Sequence, residues 1–531
     1  MARLPIPGDD TGTWGTILND FLDVEHNTDG TLKRGSDIDT ALSTANSAQT
    51  AATGKIDKSV VTTKGDLLAA SASATVARLA AGMNGQHLVA DSTKTLGVAW
   101  KDTQWLLASD FGATFDGTTN DAVALQAAID AAISSGKPLA LNPGTAIVGT
   151  SLSINGPVTI VGAGRQSTTL KAANALNGYV ISFTGGSPGA GIIGAHLADF
   201  AIDGHSSAQT SGGGILANGA VQCSFERLHV TSCYDWGLKL GPISGGGFGH
   251  HNRVVNCLFD QGGGSAGFGG GAWLTSSDEN WFIGTDFEYL GGASAPVGST
   301  PVMLYDQAGL QHIVSCNFVQ GSNNCIGIRV QNAFDSKIIG STFDGLAGDC
   351  IFLVANKCIV SGNLITGPGD AGSQPASGIH LEFNTHFNVI SGNSLETSNT
   401  VSGRVRSLIR EEGTGGSGDN LIEGNSVTWG SFGPTVGLIE SGGSNTIIRN
   451  NIGWKTENGG TATIANGTTN INVAHGLDAT PTLGNIAVTP TNNLGNAAKF
   501  WISGATNTQF TINVDADPGA GTATFSWLAR L

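Results

Sequence analysis

Between about Ala201 and Gly453 one three-residue phrase keeps returning: a thiol or polar residue, a variable one, then an apolar anchor. It reads Cys223-Ser224-Phe225, Cys257-Leu258-Phe259, Thr285-Asp286-Phe287, Cys316-Asn317-Phe318 and Ser341-Thr342-Phe343. It continues as Asn363-Leu364-Ile365, Asn393-Ser394-Leu395, Asn425-Ser426-Val427 and Asn450-Asn451-Ile452. Successive anchors lie 22 to 34 residues apart, a period that marks a solenoid whose coils each close one turn and stack. Side chains alternate across a strand, so each anchor and the residue two before it face inward together. One inward column then runs from Phe225 to Ile452, beside a column running from Cys223 to Asn450. The apolar column excludes water, and the amides of the second bond up and down the stack. The pattern predicts an all-β protein, a right-handed single-stranded parallel β-helix.

The flanks differ from this body. Thr13 to Phe21 places Trp14, Ile17, Leu18 and Phe21 on one helical face, in an N-terminal segment of residues 1–34. Residues 35–101 begin with an Ala/Ser/Thr-rich stretch carrying widely spaced Ile38 and Leu42, too poor in large apolar groups to be stable as a lone helix. A thin stalk in which several chains associate suits it better, followed by short β-like runs up to Trp100. The body is assigned residues 102–456. Near its start Asp121 is a candidate N-cap for a helix whose apolar face is Val123, Ile129 and Ile133, stopped by Gly136. Residues 457–531 alternate short strands with Pro, Asn and Gly turns and predict a small antiparallel β domain, sandwich-like.

Composition narrows the function. Charged residues are 12% of the chain and glycines number 79, which suits a β-rich body with frequent tight turns and not a helical bundle. A net charge of −16 with no basic run argues against nucleic acid or an anionic membrane as partner. No run of 18 apolar residues spans a membrane, and the first residues lack the apolar core of a secretory signal. Seven cysteines, three of them in the inward column, are expected as buried free thiols. No zinc spacing occurs, and no cofactor or metal is implied.

Two stretches carry a resemblance. Leu4-Pro5-Ile6-Pro7-Gly8-Asp9-Asp10 through Phe21 resembles the N-termini of phage minor tail proteins and tail fibres. The run Asp110-Phe111-Gly112-Ala113, Asp116-Gly117, Asn120-Asp121 and the helix after it resembles the entrance of the pectate-lyase-like β-helix superfamily, phage tailspikes included. The resemblance implies an N-terminal end that attaches to tail baseplate or tail-tip proteins, a helix capping the solenoid, and a homotrimer. It also implies a location on the virion tail, extracellular in action, and host-surface polysaccharide as partner. Such a fibre binds a glycan through its flank. Glycan depolymerisation, by hydrolysis or elimination, and a purely structural tail role remain as alternatives.

Within that frame several residues are candidates. Trp236, Trp273 and Trp281 lie off the inward columns and offer rings for sugar faces, or else pack beneath loops. The glycine-dense stretches 241–251 and 262–271 are candidate groove walls. Arg404 and Arg406, with Arg410, Glu411 and Glu412, form either a glycan contact or a surface ion-pair network, and His380-Leu381-Glu382 is a second polar concentration. The position after each anchor faces outward and reads Glu226, Asp260, Glu288 on the first three coils. Acids about 4.8 Å apart on neighbouring strands disfavour joint ionisation, so Asp260 and Glu288 are candidates for an acid–base pair tuned by Glu226. A solvated column whose side chains splay apart, or one that binds a cation, is the alternative.

Overall fold

The computed structural model describes residues 9, 11–53, 55–83, 86–102, 104–184, 191–242, 249–260, 270–290, 293–294, 301–321, 324–369, 375–397, 404–413 and 416–531. Most of the two glycine-dense stretches, and residues 1–8 and 10 at the tail-like opening, lie outside that set. The chain forms two compact units, residues 1–103 and 104–531. In the first, helices α1 (Trp14–Glu25) and α2 (Gly35–Thr53) precede two β-hairpins. Trp14, Leu18 and Leu22 on α1 are exposed, as are Ile38 and Leu42 on α2.

The second unit is a parallel β-helix with three long sheets of 13, 12 and 12 strands, here I, II and III in the order a coil visits them. From Ser224 onward sheets I and II are built from three-residue strands, nearly all of which bury only the middle residue. On sheet I the buried column includes Phe225, Val254, Phe282, Ile313, Ile338, Val360 and Ile390; on sheet II it includes Val230, Phe259, Phe287, Phe318, Phe343, Ile365 and Leu395. Each coil thus carries the phrase twice, with anchors five residues apart, as at Val254 and Phe259. A single left-handed residue, such as Asn256 (φ 52°) or Gly340 (φ 61°), turns the corner between the two copies.

This corrects the expected column at both ends. Phe225 belongs to sheet I, in register with Val254, and the residue below Phe259 on sheet II is Val230. Cys223 likewise precedes a sheet I strand, its backbone N–H donating to Asn252 Oδ1. At the other end the phrase slips by one. Asn451 joins the amide ladder, accepting from Asn425, while Asn450 is the left-handed corner and Ile452 is 69% exposed. A one-residue shift in a strand exchanges its faces.

From Phe259 to Phe343 the anchors stack as rings. Centroids are 5.1, 4.7 and 4.8 Å apart, with planes within 13° of parallel. Sheet III makes room for them with small residues facing the bore. Gly237, Gly271, Gly327 and Gly378 stand opposite Phe259, Phe287, Phe343 and Leu395. The amides that replace thiols farther along form a continuous ladder, Asn363 to Asn393 to Asn425 to Asn451. All seven cysteines are buried and outside any disulfide.

Helix α3 (Ala122–Ser135) packs on the first coil through Leu125, Ala128, Ile129 and Ala132. Val123, expected on that face, is 83% exposed. Asp121 stands at the N-cap position, yet its carboxylate accepts from Thr114 and Phe115 instead of the helix, tying the entry loop to the coil. Beyond the last coil, Glu457–Ile464, Ile486–Pro490 and Ala523–Arg530 form one antiparallel sheet. Asn470–Ala474, Phe500–Ser503 and Gln509–Val514 form another, and the core around Phe510, Phe525 and Trp527 is shared between the two.

Candidate functional site on the outer faces of the solenoid

Since anchors point inward, chemistry lies on the residues to either side of them. On sheet II, Thr231, Asp260, Glu288 and Val319 are in register on consecutive coils, beside a parallel row of His229, Leu258, Asp286 and Asn317. Asp260 and Glu288 are therefore neighbours, as expected. Glu226 is not among them. It lies on sheet I beside Val255, bonded to Arg227 at 3.1 Å and 3.9 Å from His196. The assignment of Phe225 to the wrong sheet carried Glu226 with it.

The two neighbouring acids have different surroundings. His229 Nε2 stands 2.8 Å from Asp260 Oδ2. Asn317 Nδ2 donates to Asp286 Oδ1 at 2.6 Å. Partial burial pushes the Glu288 carboxyl above its ordinary range, and the Asp286 and Asp260 charges push it the same way, with His229 opposing. One carboxyl held toward its neutral form beside one paired with an imidazole is the asymmetry that acid–base work requires.

The three tryptophans do not share a face. Trp236 is buried in an apolar cluster with Val302, Tyr305, Ile326 and Phe352 outside the bore, so it offers no ring to a ligand. Trp281 lies on sheet I, stacked on His312 at 3.9 Å and 1°. Trp273 lies on sheet III, its Nε1 donating to Gln307.

Around Trp273 is the feature that the sequence phrases did not reveal. One outward row of sheet III reads Lys239, Trp273, Tyr305, Arg329, Phe352, His380, Arg410, Glu440 on consecutive coils. Cations and rings interleave. Lys239 Nζ lies 3.8 Å over Trp273, Trp273 stacks on Tyr305 at 6.4 Å, and the Arg329 guanidinium is 5.9 Å from Tyr305 and 5.1 Å from Phe352. Phe352 meets His380 edge-on at 4.7 Å. His380, buried, has Asp349 at 2.8 Å from Nδ1 and Glu412 at 3.3 Å from Nε2. Burial also raises the carboxyl of the adjacent Glu382.

Arg406 makes two bonds to Glu440, at 2.9 and 2.8 Å, and Arg410 pairs with Glu412. The arginine cluster is thus an ion-pair network, and it borders a cavity of about 280 Å³. Arg404 precedes that strand, its carbonyl accepting from Ala376 N–H. The phrases around His380 and Arg410 were each visible as polar concentrations; the register His380 to Arg410 joins them. Among the described residues no cluster of His, Cys, Asp and Glu is arranged to hold a metal, and no helix is long and apolar enough to cross a membrane.

Residues 105–196 match the family model described as rhamnogalacturonase A/epimerase, pectate lyase-like. No curated protein matches the chain. Among solved structures the chain is similar to the tailspike protein gp49 from Pseudomonas phage LKA1, at 14% identity over 80% of this chain and 99% of that one, TM-score 0.49. It is also similar to ORF18 of Geobacillus virus E2, at 16% identity over 83% and 86% of the two chains, TM-score 0.46. A third is the A-module of the Azotobacter vinelandii mannuronan C-5 epimerase AlgE6, at 16% identity over 65% and 98%, TM-score 0.44.

Proposed function

We propose that the chain is a tail fibre or tailspike of a phage, carried on the virion tail and acting outside the host cell, and that it contacts a host-surface glycan. The observation that carries the glycan reading is the row on sheet III, where the partly exposed Trp273, Lys239 and Arg329 lie beside the buried rings of Tyr305 and Phe352. The Trp273 ring takes the apolar face of a sugar, and the charged groups along the row take hydroxyls and acidic substituents. The N-terminal end, by its resemblance to phage tail proteins, joins baseplate or tail-tip proteins. Three chains associate. The apolar faces of α1 and α2 are left exposed in a single chain, and one outer row of sheet I carries Val255, Ile283, Val314 and Ile339 on consecutive coils. A four-coil apolar row and two uncovered helix faces are expected to be covered.

Cleavage is the second reading, favoured by the unequal environments of Asp260 and Glu288. In hydrolysis the protonated Glu288 gives its proton to the leaving glycosidic oxygen, and ionised Asp260 takes one from the attacking water. Incubation with envelope polysaccharide from candidate hosts tests both readings. Retention without new reducing ends or unsaturated uronates supports a binder; new ends support the depolymerase. Neither retention nor cleavage on any susceptible host leaves only a structural role.

A further inference from the structure

Arg329 stands in the middle of the sheet III row and differs from the arginines farther along it. Among the described residues it has no carboxylate within ion-pairing distance, whereas Arg406 and Arg410 are both paired. Its guanidinium is layered between Tyr305 and Phe352, and its Nε is buried with no hydrogen-bond partner. Two coils on, Ser377 is 1% exposed and its Oγ also lacks a partner. The neighbouring Gly378 faces the bore, against Leu395, so Ser377 points to the same outer side as the row. Its backbone N–H is held by Asp349, which also holds His380, so the hydroxyl stands on a fixed frame. Unsatisfied buried donors on a well-formed sheet call for an acceptor from outside.

We propose that Arg329 seats an anionic substituent of the bound saccharide, a carboxylate or a phosphate, while the chain runs along sheet III toward Ser377. A guanidinium binds such groups through a fixed fork of N–H donors, and flanking rings that exclude water strengthen the charge interaction. Two coil spacings, about 10 Å, separate Arg329 from the Ser377 coil, the length of about two sugar units. The inference rests on the glycan reading and deepens it, because it makes the ligand acidic.

Ligand-observed saturation-transfer NMR on the full chain tests it, with D-glucuronate and D-glucose as probes at equal ionic strength. Wild type is expected to give glucuronate a signal several-fold above that of glucose, and Arg329→Gln to bring it down to the glucose level with an unchanged melting profile. Displacement of glucuronate by inorganic phosphate assigns the site to either anion; no displacement assigns it to carboxylate. A glucuronate signal no larger than that of glucose, or one unchanged in Arg329→Gln, overturns the inference. Should the protein still adhere to host cells in that case, the glycan reading survives alone; absence of both adherence and glucuronate binding overturns both. If Arg329→Gln misfolds, Arg329→Lys replaces it, keeping the charge and losing the fork, with at least a two-fold loss expected and an unchanged signal overturning the inference.

Discussion

Gly271 faces the Phe287 ring across the bore, so closely that a methyl group there would come within 2.6 Å of Cε1 and 2.9 Å of the Met303 carbonyl oxygen. The pair exchanges volume: a residue without a side chain on sheet III admits a ring stacked on both sides on sheet II. Phe287→Ala should therefore leave a cavity costing about 3–5 kcal/mol. Gly271→Ala should destabilise by overpacking, about 1–3 kcal/mol. Denaturant unfolding of both variants checks this, and a neutral Gly271→Ala would mean the coils shift freely to accommodate it.

The amide ladder makes a different demand. Asn393 Oδ1 accepts from both nitrogens of Asn363, and its Nδ2 donates to Val360 O and Asn425 Oδ1. Asn393→Ala strands several buried groups at once and should cost upwards of about 2 kcal/mol, since each costs about 1–3. Urea midpoints compare it with Ser394→Ala, an outward neighbour expected to change little.

Burial pushes the Cys257 and Cys316 thiols up to about 12. With so little thiolate at neutral pH, neither should react with a thiol reagent in the native state. Mass spectrometry before and after denaturation counts the modified sulfurs. Labelling of either in the native protein would contradict the coil assignment.

For Asp260 and Glu288, each of Asp260→Asn and Glu288→Gln should abolish cleavage of a susceptible glycan with little change in melting temperature. The pH dependence follows from the raised Glu288 carboxyl. Its proton is held more tightly folded than unfolded, so its contribution to stability is full below the ordinary glutamate range and lost as pH rises through the folded value. Cleavage should fade over the same rise, because the acid form is consumed. If both variants cleave as well as the parent, the two carboxylates are only surface.

Light scattering should give three times the chain mass. Ile339→Glu with Ile447→Glu on the outer face of sheet I should lower it toward one chain while leaving the β-sheet circular dichroism intact. A wild-type protein that is a stable monomer would overturn the trimer.

What the amino-acid order determined by itself is the local repeat. A strand that buries one residue in three must carry an apolar anchor there, so Phe287, Phe318 and Phe343 announce a stacked column without reference to any contact. The adjacency of Asp260 and Glu288 follows from the same phrase, because both directly follow an anchor. Which sheet a phrase belongs to is another matter. Cys223-Ser224-Phe225 and Cys257-Leu258-Phe259 look alike in isolation, and only strand pairing sends one to sheet I and the other to sheet II. That decision removed Glu226 from beside the acid pair. The row from Lys239 to Glu440 was beyond sequence reasoning for a geometrical reason. Between the sheet II anchor and the outward residue of sheet III the chain takes 9 residues from Phe343 to Phe352 but 18 from Phe287 to Tyr305. Loops of unequal length erase the period along the chain, and the hydrogen-bonded register of sheet III restores it in space.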